Sequence, residues 1–225
     1  MQTFRDVATA AYCPRKLYYR RRADDREAPA AVRRRRELAF RYPELLDDDD
    51  RIRAAPVEVS PTTFRSRLGC SRARLDAWEG IVDPDARDDH LTGKDCRGVV
   101  HKRFTGPAGP SLSLVFTGEP PDEGVWHTQS VRLVAAAKAL SWELKETVDR
   151  VYAEYPVHGV VRGIDLGPRR AAQYRAALRA ARSIDGPPAR VDNEAKCAAC
   201  EYRDRCGVRT RSLRSLLAGG TSRSQ

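Results

Sequence analysis

A chain of 225 residues with 41% hydrophobic and 32% charged residues can bury a core, as one large domain or two small ones. No run of about 20 apolar residues occurs, and Arg5 and Asp6 come early with no apolar stretch behind them; a membrane span and a secretory signal are therefore not expected, and a cytoplasmic protein is. The formal net charge of +10 is carried almost wholly by arginine, since the only lysines are Lys16, Lys94, Lys102, Lys138, Lys145 and Lys196, and guanidinium forks suit a phosphate backbone as readily as a solvated surface.

In chain order, residues 3–22 read as a helix from Phe4, Val7, Ala11 and Leu17, interrupted at Pro14. Residues 31–46 continue helically around Leu38, Leu45 and Leu46, and Asp47 to Asp50 read as a solvated acidic turn. A strand-rich block follows, with candidates at 56–60, 64–68, 73–82, 98–104 and 111–116. The charged stretch from Asp83 to Asp95 reads as an inserted loop within it. After Pro120-Pro121, residues 129–148 form a strong helical pattern through Val131, Val134, Ala135, Leu140 and Trp142. Residues 152–166 read as two strands, or one bent at Gly159, and 169–182 as a helix that stops before Gly186-Pro187-Pro188. A cysteine cluster, a short arginine-rich helix and a disordered tail at 218–225 complete the chain. Helices, then strands, then helix–strand–helix predict an α/β or α+β fold around a central sheet. The expected divisions are a helical segment at 1–50 carrying Cys13, a core at 51–190, the cysteine cluster and last helix at 191–217, and the tail.

Six cysteines in a cytosolic chain are better read as ligands or buried thiols than as disulfides. Cys197, Cys200 and Cys206 are spaced so that a Cys-x2-Cys turn aims two thiolates at one centre and a nearby third closes most of a tetrahedron. Cys13, among the aromatic and cationic residues Tyr12, Arg15, Lys16, Tyr18 and Tyr19, is the best fourth ligand. Cys70 and Cys96, inside strand-like or loop sequence, read as structural or incidental. Structural zinc sites usually pair two short knuckles close in sequence, whereas three clustered cysteines and one distant one suit a cubane iron–sulfur cluster, 4Fe-4S. Either centre would tie the two ends of the chain together, a crosslink worth about 3–5 kcal/mol by analogy with a long-loop disulfide.

The run Cys13-Pro14-Arg15-Lys16-Leu17-Tyr18-Tyr19, together with the Cys197/Cys200/Cys206 triplet, resembles the CRISPR-associated exonucleases of the Cas-four type, iron–sulfur relatives of the RecB nuclease domain. The resemblance spans nearly the whole chain. It implies a restriction-endonuclease-like fold, a mixed central sheet flanked by helices, and metal-dependent hydrolysis of phosphodiester bonds. Two carboxylates would hold Mg2+ or Mn2+ and a lysine would position the attacking water. Matched by position, Asp76 corresponds to the first metal carboxylate, Lys102 to the lysine and Gln129 to the glutamine of the following helix, while the second carboxylate position is Val100 and the later tyrosine is Ala136. The family's N-terminal histidine has no counterpart, the first histidine being His90; Glu37 or Glu44 are stand-ins. His101 should point away from Val100 and Lys102 by strand alternation. The literal Glu-x-Lys, Glu143-Leu144-Lys145, falls inside a helix where its side chains diverge; Glu154 is the better migrated carboxylate.

These residues leave three functions open. The first is a DNA exonuclease acting on single-stranded DNA or single-stranded ends, with CRISPR adaptation proteins as implied partners. The second is a catalytically impaired DNA-binding protein that keeps the fold and the iron–sulfur cluster. The third is a zinc-stapled nucleic-acid-binding module. The arginine runs at 20–22, 33–36 and 209–214 are candidate phosphate contacts.

Overall fold

Alternation of apolar residues along 109–115 and the helical spacing along 127–144 dictate a sheet with a helix laid on it, and the chain builds outward from that pair. In a computed structural model, residues 1–23 and 29–207 are described. They form β1 (Gln2–Thr3), α1 (Phe4–Tyr12), α2 (Pro14–Arg20), α3 (Ala30–Glu37), α4 (Tyr42–Asp47), α5 (Asp49–Ala54), α6 (Pro61–Arg74), α7 (Trp78–Val82), β2 (Ala86–Thr92), β3 (Cys96–Gly106), β4 (Gly109–Val115), α8 (His127–Leu144), β5 (Arg150–Tyr155), β6 (Val160–Asp165), α9 (Pro168–Arg182) and α10 (Glu194–Ala198). The arginine-rich segment at 209–214 and the tail at 218–225 lie outside the described residues.

The six strands form one mixed sheet. β2, β3 and β4 make an antiparallel meander; α8 then carries the chain across so that β5 runs parallel to β4, and β6 returns antiparallel to β5. β1 lies parallel to the start of β3, pairing Gln2 with Cys96 and Thr3 with Arg97. Thr92 of β2 also pairs with Arg97, and a strand has two edges, so β1 and β4 share one edge of β3. The architecture is α/β, with a mixed sheet flanked by helices.

Each face of the sheet buries its own core. Leu112 and Leu114 of β4 pack with Phe4, Val7, Val131, Val134 and Leu140 beneath α1 and α8, joined by Tyr174 and Leu178 of α9. Val115, one residue out of phase, packs with Phe104, Tyr152, Tyr42, Phe64, Leu68 and Trp78 on the other face, the period of two that a strand imposes. Because β1 is part of the sheet and α1 packs on α8 and α9, the N-terminal segment belongs to the core rather than standing apart from it. Among the described residues, no helix is long and apolar enough to cross a membrane.

Several elements differ from expectation, each for a local reason. The helix expected over 3–22 divides at Cys13, whose backbone is extended (φ −163°, ψ 118°), so that Cys13 ends α1 and precedes Pro14 at the first position of α2. Residues 56–60 form no strand, and 64–68 lie inside α6, where Phe64, Leu68 and Ser71 are buried at helical spacing and Ser60 caps the helix by accepting from Thr63 N. Residues 73–82 are likewise the end of α6, a turn, and α7. Conversely, the charged stretch read as a loop contains β2. Its polar residues are those of an edge strand, and charge on an edge discourages pairing with another chain. The bend expected at Gly159 is present: its φ of 65° is left-handed, and a Cβ there would lie 2.7 Å from the Phe64 carbonyl oxygen.

Candidate metal centre and nuclease-motif residues

The break between α1 and α2 puts Cys13 on a corner, and the short α10 with the turns after it carries the other three cysteines. Cys200 N bonds Cys197 O at 3.3 Å, and Cys206 N bonds Tyr202 O at 2.8 Å. Cys13, Cys197, Cys200 and Cys206 line one cavity, together with Tyr12, Lys16, Tyr19, Lys196 and Tyr202. All four thiols are free and partly buried. The two ends of the chain are pinned around them. Tyr12 Oη donates to Lys196 O at 3.0 Å, Arg15 Nη1 donates to Pro188 O at 2.9 Å, Lys16 pairs with Glu201 at 2.7 Å, and the rings of Tyr19 and Tyr202 stack at 6.1 Å. Lys16 and Lys196 stand over the Tyr12 ring at 5.1 and 5.2 Å, positive charges at a place where thiolates would need them.

The donor set, four thiols from both ends of the chain in one cavity, fits a thiolate-bound centre. Among the described residues, however, no group of three or more His, Cys, Asp or Glu side chains is gathered as a metal site, so the polar contacts hold the ends together and the metal staple belongs to the proposal below. Cys70 is exposed, and Cys96 is buried with its sulfur 3.3 Å from Tyr174 Oη, its thiol pushed up chiefly by burial. Neither lines the cavity.

The three residues matched to the nuclease motif lie in three different places. Asp76 is in the turn between α6 and α7, where Tyr152 Oη donates to its Oδ1 at 3.5 Å; it does not stand at the edge of a strand, because 73–82 is helical. Lys102 is in β3 and wholly buried (0% exposed). Its Nζ donates to Ala39 O at 2.6 Å, Ile81 O at 2.8 Å and Glu154 Oε2 at 2.8 Å. Tyr152 and Glu154 are two residues apart on β5, about 7 Å along the strand, so Asp76 and Lys102 meet different rungs. Gln129 is on the far face of the sheet, its Oε1 accepting from Trp126 N and Tyr155 Oη at the start of α8. Burial pushes that tyrosine up to about 12.

The strand alternation expected around Lys102 also fails. Val100 packs in the core under α1 and α8, whereas Lys102 points into the opposite layer, toward Ala39 and Ile81. The side chains change face at His101. There the β2–β3 ladder pairs Arg87 with Lys102 and Asp89 with Val100, and Asp88 between them has a left-handed φ of 47°. His101 caps the end of β4: its Nδ1 accepts from Val115 N at 3.0 Å. Burial first, then Arg132, Arg36 and Lys102, push the imidazole down to about 3, so it is neutral in the folded chain.

A histidine that protonates near 6.5 when unfolded and near 3 when folded gives the unfolded chain the extra proton between those values. Its contribution to stability is present above pH 6.5 and is lost as pH falls toward 3. In urea titrations across that window, His101→Asn, which keeps an acceptor for Val115 N, is expected to flatten the pH slope by up to about 1.4 kcal/mol per pH unit, one proton's worth. An unchanged slope would mean that His101 is already charged in the native protein.

Of the stand-ins, Glu154 is the carboxylate that meets Lys102, and its other oxygen accepts from Ser113 Oγ. Tyr42, buried beside it, is held well above the ordinary tyrosine range by burial and by that charge. Glu44 pairs with Arg41 and Arg51, and Glu37 is exposed at the end of α3. Glu143 accepts from Thr92 N while Lys145 lies over Trp142 at 3.9 Å, so the literal Glu-x-Lys diverges as expected. Ser113 and Tyr42 carry no sequence signal, because only the pairing of β4 with β5 brings Ser113 to Glu154 and only the packing of α4 on the sheet brings Tyr42 there. No protein-family model matches this chain, and no curated protein matches it.

Proposed function

We propose that this protein binds DNA without cutting it, on a restriction-endonuclease-like scaffold whose two ends are joined by an iron–sulfur cluster held by Cys13, Cys197, Cys200 and Cys206. The observation that carries the first half is Lys102. An ammonium has three donors, all three are bonded to protein acceptors, and the side chain has no exposure. A lysine in that state has neither a free donor nor an opening through which to reach a scissile phosphate or its attacking water. Asp76, away from Lys102, offers a divalent ion one carboxylate; Mg2+ sites that use so few complete their shell with water and substrate oxygens. The arginine-weighted charge of +10 supports a phosphate-bearing partner. The cluster supplies a crosslink, and the cysteine cavity with its ring of cations supports it over a purely protein-built joint.

Labelled single-stranded DNA, and duplex DNA with single-stranded ends, should bind the full chain with an affinity that falls roughly tenfold or more between 50 and 200 mM salt, as expected when two or more phosphates are neutralised. Neither DNA should be shortened in Mg2+ or Mn2+, and Asp76→Ala should bind within about twofold of wild type. Shortening by wild type that Asp76→Ala abolishes would establish the metal-dependent nuclease instead, with Asp76 as its metal ligand.

A further inference from the structure

Among the described residues, five arginines have a buried Nε that makes no hydrogen bond: Arg15, Arg36, Arg65, Arg103 and Arg132. Three of them are paired all the same, Arg15 and Arg65 elsewhere on the guanidinium and Arg103 by an ion pair at that Nε. Arg15 bonds Pro188 O, Arg65 pairs with Asp49 at 2.9 Å, and Arg103 pairs with Asp89 at 2.7 Å. Arg36, in the last turn of α3, and Arg132, in the second turn of α8, have neither a hydrogen bond nor an ion pair among the described residues. They belong to one place. Arg36 precedes by one turn Ala39, whose carbonyl accepts from Lys102 Nζ, and the adjacent His101 accepts from Val115 N, next to Phe116; the charges of Arg36 and Arg132 both bear on His101, and those of Arg36 and Arg5 bear on Arg132. Arg132 flanks Phe116, the residue after β4, with Cζ 6.0 Å from the ring centroid.

Among the described residues the surroundings supply no anion. His101 is neutral with its Nδ1 already occupied, Lys102 is paired with Glu154, and Arg20, the next cation, is paired with Asp6. Burial, and then the charges of Arg36, Arg5 and Arg20, lower the Arg132 guanidinium to about 10, which leaves it protonated at neutral pH. Half-buried cations of one sign, with no carboxylate among them, repel one another. A ligand anion removes that repulsion, and guanidinium forks hold phosphoryl oxygens bidentately. The location is also defined by the sheet: β4 ends at Val115, β1 pairs only with Cys96 and Arg97, and among the described residues no strand pairs with the stretch of β3 between them, where Val100 and His101 are buried.

We infer that Arg36 and Arg132, with the exposed Arg5 beside them, form a phosphate-binding site next to Phe116, where the edge of β3 is left unpaired. The assignment of its ligand as a phosphodiester of a nucleic-acid backbone rests on the DNA-binding function proposed above; a free phosphate presents the same oxygens.

The test uses the full chain and the variants Arg36→Gln, Arg132→Gln and Arg132→Lys, with Arg53→Gln as a control, since Arg53 pairs with Asp50 on exposed α5. Fluorescence anisotropy with labelled single-stranded DNA should show each glutamine variant weaker by about tenfold, with the log–log salt slope reduced by about 1 for each lost contact. Arg132→Lys should fall between wild type and Arg132→Gln, keeping charge but losing the fork, and the control should be unchanged. Without ligand, Arg132→Gln should melt at or slightly above wild type, because a repulsive charge has gone; a structural arginine would lower the melting temperature instead. In parallel, millimolar inorganic pyrophosphate should raise the melting temperature of wild type but not of Arg132→Gln. If wild type ignores DNA while pyrophosphate stabilises it through Arg132, the site stands and the nucleic-acid function falls. If the glutamine variants bind DNA like wild type with an unchanged salt slope, the site is wrong and the function survives elsewhere on the surface.

Discussion

Lys102→Met is expected to lower the unfolding free energy by about 3–5 kcal/mol, the usual cost of breaking a buried ion pair from one side. At this chain length that corresponds to a fall of roughly 6–20 °C in melting temperature. Methionine fills the lysine's volume well, so the loss is not a cavity effect. It comes from three acceptors, the carbonyls of Ala39 and Ile81 and the carboxylate of Glu154, left without a donor where water does not reach. The damage would spread over three elements, since those contacts tie β3 to β5, to the 3-10 turn before α4 and to α7. Glu154→Gln should cost less, because the amide oxygen still accepts from Lys102 or Ser113. The double variant Lys102→Met/Glu154→Gln should be less destabilised than the two single effects summed, a coupling that residues in one network show. A catalytic lysine behaves differently, since its removal costs activity and leaves stability near wild type. A Lys102→Met protein melting within about 2 °C of wild type would show that Lys102 is not the structural bolt described here.

How far the sequence carried this fold can be seen at particular residues. The helix at 127–144 and the strands at 96–106 and 109–115 were legible because a single period persists over two or more turns or rungs. Residues 64–82 were not, because Phe64, Leu68 and Val82 satisfy a strand pattern as well as a helical one; the signal that decides is Ser60-Pro61, a cap and a first-turn proline. That misassignment displaces Asp76, which falls within the strand candidate at 73–82 and stands in a turn. β2 is hidden for the opposite reason: an edge strand carries its charges outward, and seven acidic or basic residues in the thirteen from Asp83 to Asp95 look like a loop. At Lys102 the sequence offers Glu154 only as a migrated metal carboxylate and not as an ion-pair partner, and the change of face at His101 is invisible. It depends on the left-handed Asp88 one strand away, and no local pattern along β3 reports it. The cysteines, by contrast, are legible locally, three by their spacing and Cys13 by its aromatic and cationic neighbours, and these four line one cavity. Arg36 and Arg132 could not be singled out among so many arginines, since what marks them is the absence of a carboxylate neighbour in space.

The cysteine cavity yields the other large effect. Anaerobically purified protein is expected to be brown and to contain about four iron and four sulfide per chain. Cys13→Ser should lose the metal and with it about 3–5 kcal/mol, the entropy of closing a loop that spans most of the chain. Cys13 is the informative position, because Cys197, Cys200 and Cys206 are neighbours in sequence and would close only short loops on their own. Loss of Cys13 should therefore loosen the C-terminal segment from the α1–α2 corner, with Lys16–Glu201, Tyr12–Lys196, Arg15–Pro188 and the Tyr19–Tyr202 stack left as links. Limited proteolysis should then cut between Gly186 and Cys197 well before it cuts the core, while wild type resists. Cys70→Ser, at an exposed thiol outside the cavity, should keep both metal and stability. A colourless protein with one zinc per chain would replace the cluster by a zinc staple and leave the proteolysis pattern as expected. A Cys13→Ser protein that keeps its full iron and its protease resistance would remove Cys13 from the ligand set, and with it the claim that a metal centre joins the two ends.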